Sequence, residues 1–279
     1  MKKSNIANIV LFFMASSFFL FAACENYKKN DTNIEEIKID DSVRLNKNSE
    51  SPFCKISIDF EYINSNKDSV DSKINQKIIE NLLGKEYTSM PVKLAVDSFK
   101  NAYIKMYHNE VGKLYAEDIK SNPDEKNVLG WYNYEYNLTN FISQGRGDIL
   151  NVKATFFEYS GGAHPNEWGR WMNFDEKNGA LLTYNDIFID GSQKVISEML
   201  LNKLIEFISD KYKEAKVNNI QDLNNLGILN ESDIYIPDNF LVGKDEISFL
   251  YNKYDIAPYS VGTIILSLPY SEIEKYMLK

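Results

Sequence analysis

The sequence predicts an α+β fold, a mostly antiparallel sheet with packed helices, arranged as two subdomains in one compact unit. Two observations carry this. The hydrophobic period changes along the chain between two residues and about 3.6, the repeats of a half-buried strand and an amphipathic helix. The segments marked in this way follow one another as strand, two helices, strands, helix, strands, helix, with the helices grouped rather than alternating with every strand.

Order is expected from near Pro52. Ile56, Ile58, Phe60 and Tyr62 alternate with polar residues and predict a strand. Asp68 or Ser69 then caps a helix with apolar positions Val70, Ile74, Ile78 and Leu82, and Gly84 follows as its stop. A second helix starts at Pro91, where a missing N–H is harmless. It carries Val92, Ala95, Val96, Phe99, Tyr103, Met106 and Tyr107 on one face and ends at Asn122-Pro123. Leu129–Ile142 alternates again, with Tyr132, Tyr134, Tyr136, Leu138 and Ile142 on one side. Gly145–Asp148 turns the chain into a second strand, Ile149–Tyr159, and the two read as a hairpin. After the loop Ser160–Glu167 comes a strand over Trp168–Phe174, closed by Lys177-Asn178-Gly179. Ser192 caps a helix with Val195, Ile196, Met199, Leu200, Leu204, Phe207 and Ile208 at helical spacing. Asn218–Asn230 reads as a polar connector and Asp238–Tyr251 as a hairpin about Gly243-Lys244-Asp245. Tyr254–Gly262 reads as a loop and Thr263–Leu268 as a strand. Ser271 with Glu274 marks the start of a short last helix.

The N-terminal segment has a different character. Lys2 and Lys3 precede Ile6–Ala23, which runs 18 residues without a charge and ends in Phe21-Ala22-Ala23-Cys24. Small residues before a cysteine resemble the lipobox of bacterial lipoproteins, in which the cysteine is acylated and becomes the new N-terminus. Phe21 stands where that motif usually has Leu. An uncleaved anchor is the other reading of the same run. The organisation expected is a signal peptide over 1–23, a flexible tether over 24–51 rich in Asn, Lys, Asp, Glu and Ser, an N-terminal subdomain over 52–125 and a C-terminal domain over 126–279. Both readings of the N-terminus put the domain outside the cytoplasm, in the cell envelope; in the first, the lipid on Cys24 makes the bilayer a partner.

Composition removes several functions. Two cysteines cannot make a disulfide scaffold, and two histidines leave little for a zinc site; neither a metal nor another cofactor is expected. The 31 basic residues against 40 acidic give −9, and loss of Lys2 and Lys3 makes this 29 against 40, or −11. With no basic block, nucleic acid is not an expected partner. Cys54 lies in an apolar strand and reads as a buried small hydrophobe. No nucleophile elbow, phosphate-binding loop or paired-histidine motif occurs. His164, in Ser160-Gly161-Gly162-Ala163-His164-Pro165-Asn166, is either a displayed base or ligand contact, or a turn residue tying down carbonyls. His108 borders the apolar face of the second helix and reads as a core or boundary residue. The aromatic share is 13%, and Phe156, Phe157, Tyr159, Trp168 and Trp171 gather near the His164 loop. Sheet packing accounts for most of them; an exposed patch that stacks on sugars or anchors a protein is the alternative.

Tyr159–Asn166, Asn173-Phe174-Asp175 and Leu182–Phe188, together with Tyr251, Tyr254–Tyr259, Gly262 and Leu268-Pro269-Tyr270, resemble the RsiV/PdaC-type family of bacterial extracytoplasmic domains of unknown function. That family includes the ectodomain of a lysozyme-sensing anti-sigma factor and the non-catalytic part of a peptidoglycan deacetylase. The resemblance spans about residues 52–279. The sequence shows neither an anti-sigma segment nor the paired aspartates and metal-binding histidines of a deacetylase. The resemblance therefore implies a non-catalytic envelope lipoprotein that binds a protein or glycan, a lysozyme-type hydrolase being the most concrete candidate. The residues expected at that site are Tyr159, Gly161, Gly162, His164, Asn166, Trp168, Tyr254 and Tyr259. An enzyme or accessory acting on peptidoglycan, with His164 and a carboxylate as acid and base, and a structural envelope protein are the alternatives.

Overall fold

Residues 33–64, 69–121, 130–214 and 216–278 are described in a computed structural model of the chain. Residues 33–279 form one compact unit. The calls on residues 1–23 and on Cys24 lie outside the described residues.

Five strands make the first sheet: β1 (Ile34–Arg44), β2 (Phe53–Ile63), β3 (Tyr134–Gln144), β4 (Ile149–Tyr159) and β5 (Asn166–Asp175), in that spatial order. Every pairing is antiparallel except β2 with β3, which is parallel. Parallel neighbours need a long crossover, and here it is made by α1 (Ser69–Leu82) and α2 (Val92–Ser121). A second sheet, β6 (Phe240–Val242), β7 (Glu246–Tyr251) and β8 (Ile264–Pro269), is wholly antiparallel. The remaining helices are α3 (Tyr184–Ile187), α4 (Gln193–Lys211), α5 (Ile220–Asn225) and α6 (Tyr270–Ile273). The α+β class and the mostly antiparallel sheet stand as the sequence predicts.

The tether expected over 24–51 gives way to a strand over residues 34–44. β1 lies there, paired to β2 along its whole length, with Ile37 opposite Phe60, Ile39 opposite Ile58 and Val43 opposite Cys54. Ile37, Ile39 and Val43 alternate with Lys38, Asp40 and Ser42, but Glu35, Glu36 and Asp41 dilute the pattern. An edge strand can carry that much charge because one of its sides is open to water. The boundary at 125/126 also fails, because β2 and β3 on its two sides are hydrogen-bonded neighbours. The chain divides instead between two cores. One lies between the first sheet and α1 and α2 and draws on residues 54–174; the other gathers α4, α5 and the second sheet over residues 187–273.

Other expectations change locally. Asn218–Asn230 is not a mere connector: it holds α5, with Leu223, Ile228 and Leu229 buried. Ser192 occupies the N-cap position of α4, yet its hydroxyl bonds the Ile189 carbonyl and the Tyr184 hydroxyl instead of the helix. Ser271 lies inside α6, which begins after Pro269. The strand expected from Leu129 starts at Tyr134. His108 is exposed on α2, its ring edge-on to Tyr107 at 5.7 Å.

Asparagine side chains join elements where the backbone ladder ends. The Asn140 amide accepts from Glu61 N at 3.0 Å and donates to Glu61 O at 2.9 Å, and Asn75 does the same for Ile63. Between the sheets, Asn173 donates to Phe240 O (2.9 Å) and accepts from Val242 N (2.8 Å). Asn239 accepts from Trp171 N (2.6 Å) and donates to Gly169 O (2.9 Å). A primary amide carries one donor and one acceptor group in the geometry of a peptide, so each continues a strand edge without a strand. Trp171, Leu241 and Leu250 form a small apolar cluster between the same elements.

Cys54 is fully buried, and burial, with the Asp41 carboxylate as a lesser cause, pushes its thiol up to about 12. The thiolate is the reactive form. Native protein at pH 8 is expected to leave Cys54 unmodified by iodoacetamide, with alkylation appearing only in denaturant. Peptide mass mapping reads this, and rapid native alkylation would show that the strand opens.

Candidate functional site

The sequence expects a site on two loops far apart in the chain, and the structure brings them together. The first turns from β4 into β5. Gly161 and Gly162 have φ of +84° and +106°, where a side chain is strained. A Cβ on Gly161 would stand 2.6 Å from the Trp131 carbonyl oxygen, whereas one on Gly162 would meet open space. The Tyr159 hydroxyl donates to Gly162 O at 3.2 Å and closes the turn.

The second loop follows β7. Asn252 clamps its start to the first sheet by accepting from Gly169 N at 2.7 Å and donating to Gly169 O at 3.2 Å. The Asp255 carboxylate accepts from Asn252 N at 2.7 Å, and Asp255 N donates to Asn252 O. Ile256, Ala257 and Val261 are buried in the second core, and Leu229 N donates to Ile256 O at 2.7 Å. Anchored at both ends, the loop holds Tyr254 with φ +72° and its residue surface 62% exposed.

The two loops meet ring on ring. The His164 imidazole stacks on Tyr259 with centroids 4.1 Å apart and planes 24° from parallel. His164 Nδ1 lies 3.1 Å from Pro165 O. A carbonyl only accepts, so Nδ1 carries the hydrogen. The Tyr259 hydroxyl donates to the same carbonyl at 3.3 Å. Tyr254 lies 5.6 Å from Tyr259 between centroids. Lys253 Nζ stands 4.4 Å from the Tyr259 centroid and 2.7 Å from the Glu167 carboxylate. Burial draws its ammonium down, but the bonds to Glu167 and Tyr259 outweigh that, and the pKa is raised overall. Lys253 is therefore a cation held between the Tyr259 ring and Glu167.

Tyr159, Gly161, Gly162, His164, Tyr254 and Tyr259 thus form this cluster, and Asn166 is exposed at its edge as the first residue of β5. Trp168 does not belong. Successive strand residues face opposite ways, so Glu167 points to the cluster while Trp168 stacks on Phe156 at 4.8 Å against the first core. Three residues were not expected. Lys253 and Glu167 form an ion pair whose members are 86 positions apart, a pairing that no local pattern announces. Trp131, 66% exposed, backs the glycine turn through its carbonyl; its place inside the alternating run Leu129–Ile142 reads as sheet.

His164 is exposed, as an acid or base would have to be. Of the carboxylates on these segments, Glu167 is bound to Lys253 at 2.7 Å and Asp255 accepts from Asn252 N at 2.7 Å. Among the described residues no three His, Cys, Asp or Glu side chains converge to hold a metal ion. What the surface offers is flat rings, an imidazole tied to a backbone carbonyl and an ion pair.

Gly162→Ala is expected to cost about 1–2 kcal/mol for the left-handed backbone alone. Gly161→Ala adds an overlap worth about 1–3 kcal/mol, and its displacement of the turn should break the His164–Tyr259 stack. Thermal unfolding with the imidazole proton shifts in NMR checks both; equal losses in the two variants would contradict the close approach of Trp131.

Residues 185–271 match the family described as "Protein of unknown function (DUF3298)". The second loop lies inside the match and the first outside it. The chain is similar to a member of the DUF3298 family from Bacteroides fragilis NCTC 9343, with 26% identity over 89% of this chain and 94% of that one and a TM-score of 0.78. It shares its fold with a DUF3298 family protein from Pseudomonas aeruginosa PAO1, with 14% identity over 89% and 95% of the two chains and a TM-score of 0.58. No curated protein matches the chain.

Proposed function

We propose that the protein is a non-catalytic cell-envelope lipoprotein of the RsiV/PdaC type. Acylated Cys24 holds it to the bilayer, and its domain outside the cytoplasm binds a protein or glycan ligand, with a lysozyme-type muramidase as the first candidate. One observation carries the binding role. Tyr254 is held in a left-handed conformation that costs a bulky residue about 1–2 kcal/mol, while most of its surface stays in water. Burial inside the fold does not return that cost. Strain of this kind gathers where a ligand is met, and Tyr254 lies beside the stacked His164 and Tyr259. Rings held rigidly lose little entropy when they stack on a sugar or enter a protein pocket. An acidic chain would also steer a basic partner toward it.

Calorimetric titration of the full-length chain in detergent with lysozyme, and separately with muropeptides, tests the reading. A saturable heat with one of them, lost in Tyr259→Ala, supports it; no heat with either removes it. Cys24→Ser is expected to abolish the incorporation of labelled fatty acid into the chain and to change its mass, and an unchanged mass would refute the anchor.

A further inference from the structure

The opposite end of β5 carries a second feature of different chemistry. β5 spans 10 residues, about 30 Å of strand, and runs from the His164 loop to the turn at Asp175–Ala180. That turn folds against α1: a Cβ on Gly179 would lie 2.9 Å from Val70 O and 3.2 Å from Lys73 Cβ, so only glycine allows this approach. Between the turn, α1 and residues 85–88 runs an open groove of about 590 Å3, within the range of ligand sites. Lys73, Lys77 and Lys85 line it, with Glu80 as the acidic member and Leu181 on its wall.

The charge of this groove runs against that of the chain. Three ammonium groups face one carboxylate, in a protein whose formal charge is −9. Lys77 holds Glu80 at 2.7 Å. That bond holds the Glu80 carboxyl below its ordinary range, against a desolvation that raises it, and the charges of Lys77 and Lys85 add to the lowering. Lys73 and Lys85 have no ion-pair partner among the described residues. Lys73 and Lys77 stand one turn apart on α1, a like-charge pair that disfavours a helix unless an anion lies between them. A phosphate group has the matching chemistry: a monoester offers close to two negative charges and three acceptor oxygens, and a diester headgroup one charge and two free oxygens, to Lys donors that rotate to meet them.

We propose that the groove lined by Lys73, Lys77 and Lys85 binds a phosphate group, carried either by a lipid headgroup or by a soluble phosphate. The site is independent of the aromatic cluster.

Lysine footprinting with an amine-reactive ester on the full-length chain tests it. One arm uses detergent-solubilised protein with and without pyrophosphate, the chloride control being matched in ionic strength. The other uses phosphatidylcholine vesicles with and without phosphatidylglycerol. Lys73, Lys77 and Lys85 are read against the exposed Lys105, Lys113 and Lys194. At a phosphate concentration about ten times the dissociation constant, modification of the groove lysines should slow about tenfold, by the factor 1 + [L]/Kd, while the control lysines stay unchanged. In the double variant Lys73→Gln with Lys77→Gln, the protection of Lys85 should disappear. Protection by pyrophosphate identifies a soluble phosphate as sufficient, and protection by phosphatidylglycerol alone identifies the headgroup. No protection from either source, or equal protection of the control lysines, overturns the proposal.

Discussion

Asn173→Ala is expected to lower the stability of the fold by about 3 kcal/mol, or roughly 10 °C in melting temperature for a chain of this size. Asn173 is 1% exposed and its amide is spent on two backbone groups of β6, Phe240 O and Val242 N. Truncation leaves both groups buried without these partners, and an unmet buried group costs far more than a solvated hydrogen bond gains. The bonds lost are also among those that couple the two sheets. Calorimetry of the variant should therefore show a broadened transition, with the residues of the second core melting first. Asn202, exposed on α4, serves as the control, and its replacement by Ala should fall within about 0.5 kcal/mol of the parent. If Asn173→Ala unfolds like Asn202→Ala, the amide bridge does not hold the sheets together.

Tyr254→Gly is expected to move stability and binding in opposite directions. Glycine removes the penalty of the left-handed backbone, about 1–2 kcal/mol, and loses about 0.5–1 kcal/mol to the greater freedom of the unfolded chain. The net effect is a stability unchanged or higher by up to about 1.5 kcal/mol. The ring, however, is gone. If it anchors a ligand as aromatic hot spots do, the loss of about 2 kcal/mol weakens binding roughly thirtyfold. Tyr254→Ala, which keeps the strained backbone and drops the ring, should weaken binding equally without the gain in stability. Chemical denaturation and the lysozyme and muropeptide titrations read the two properties separately. A drop in stability in Tyr254→Gly would mean that the ring serves the fold, and the binding role would lose its main support.

Much of this fold is legible along the chain because its signals are local. The helices α1 and α4 bury Ile74, Ile78 and Leu82, and Ile196, Leu200, Leu204 and Ile208, at the spacing read from the sequence. β4 runs over Ile149–Tyr159 as expected. The second β-hairpin turns about Gly243 between β6 and β7. Helix and strand repeats survive in the sequence because each is set by the geometry of its own few residues. β1 was missed for a related reason: an edge strand with one open side needs few apolar residues, so its composition is that of a linker.

The candidate site was legible only as two separate loops. The Tyr159–Asn166 and Tyr254–Tyr259 stretches stand out by their glycines, prolines and aromatic residues, and Cys54 stands out as apolar-strand packing. That His164 lies on Tyr259, that Lys253 pairs with Glu167, and that Trp168 turns away to Phe156 were decided by the registry of β4 with β5 and by the docking of the second sheet through Asn173, Asn239 and Asn252. Those amides look like surface residues in a sequence, because their partners are backbone groups tens of positions away. The sequence by itself determined the class of fold, most of its elements and the stretches of chain that carry the site. The tertiary structure alone decided the seam between the two cores, the membership of the site and the strain on Tyr254, since each depends on contacts between distant segments that no local period encodes.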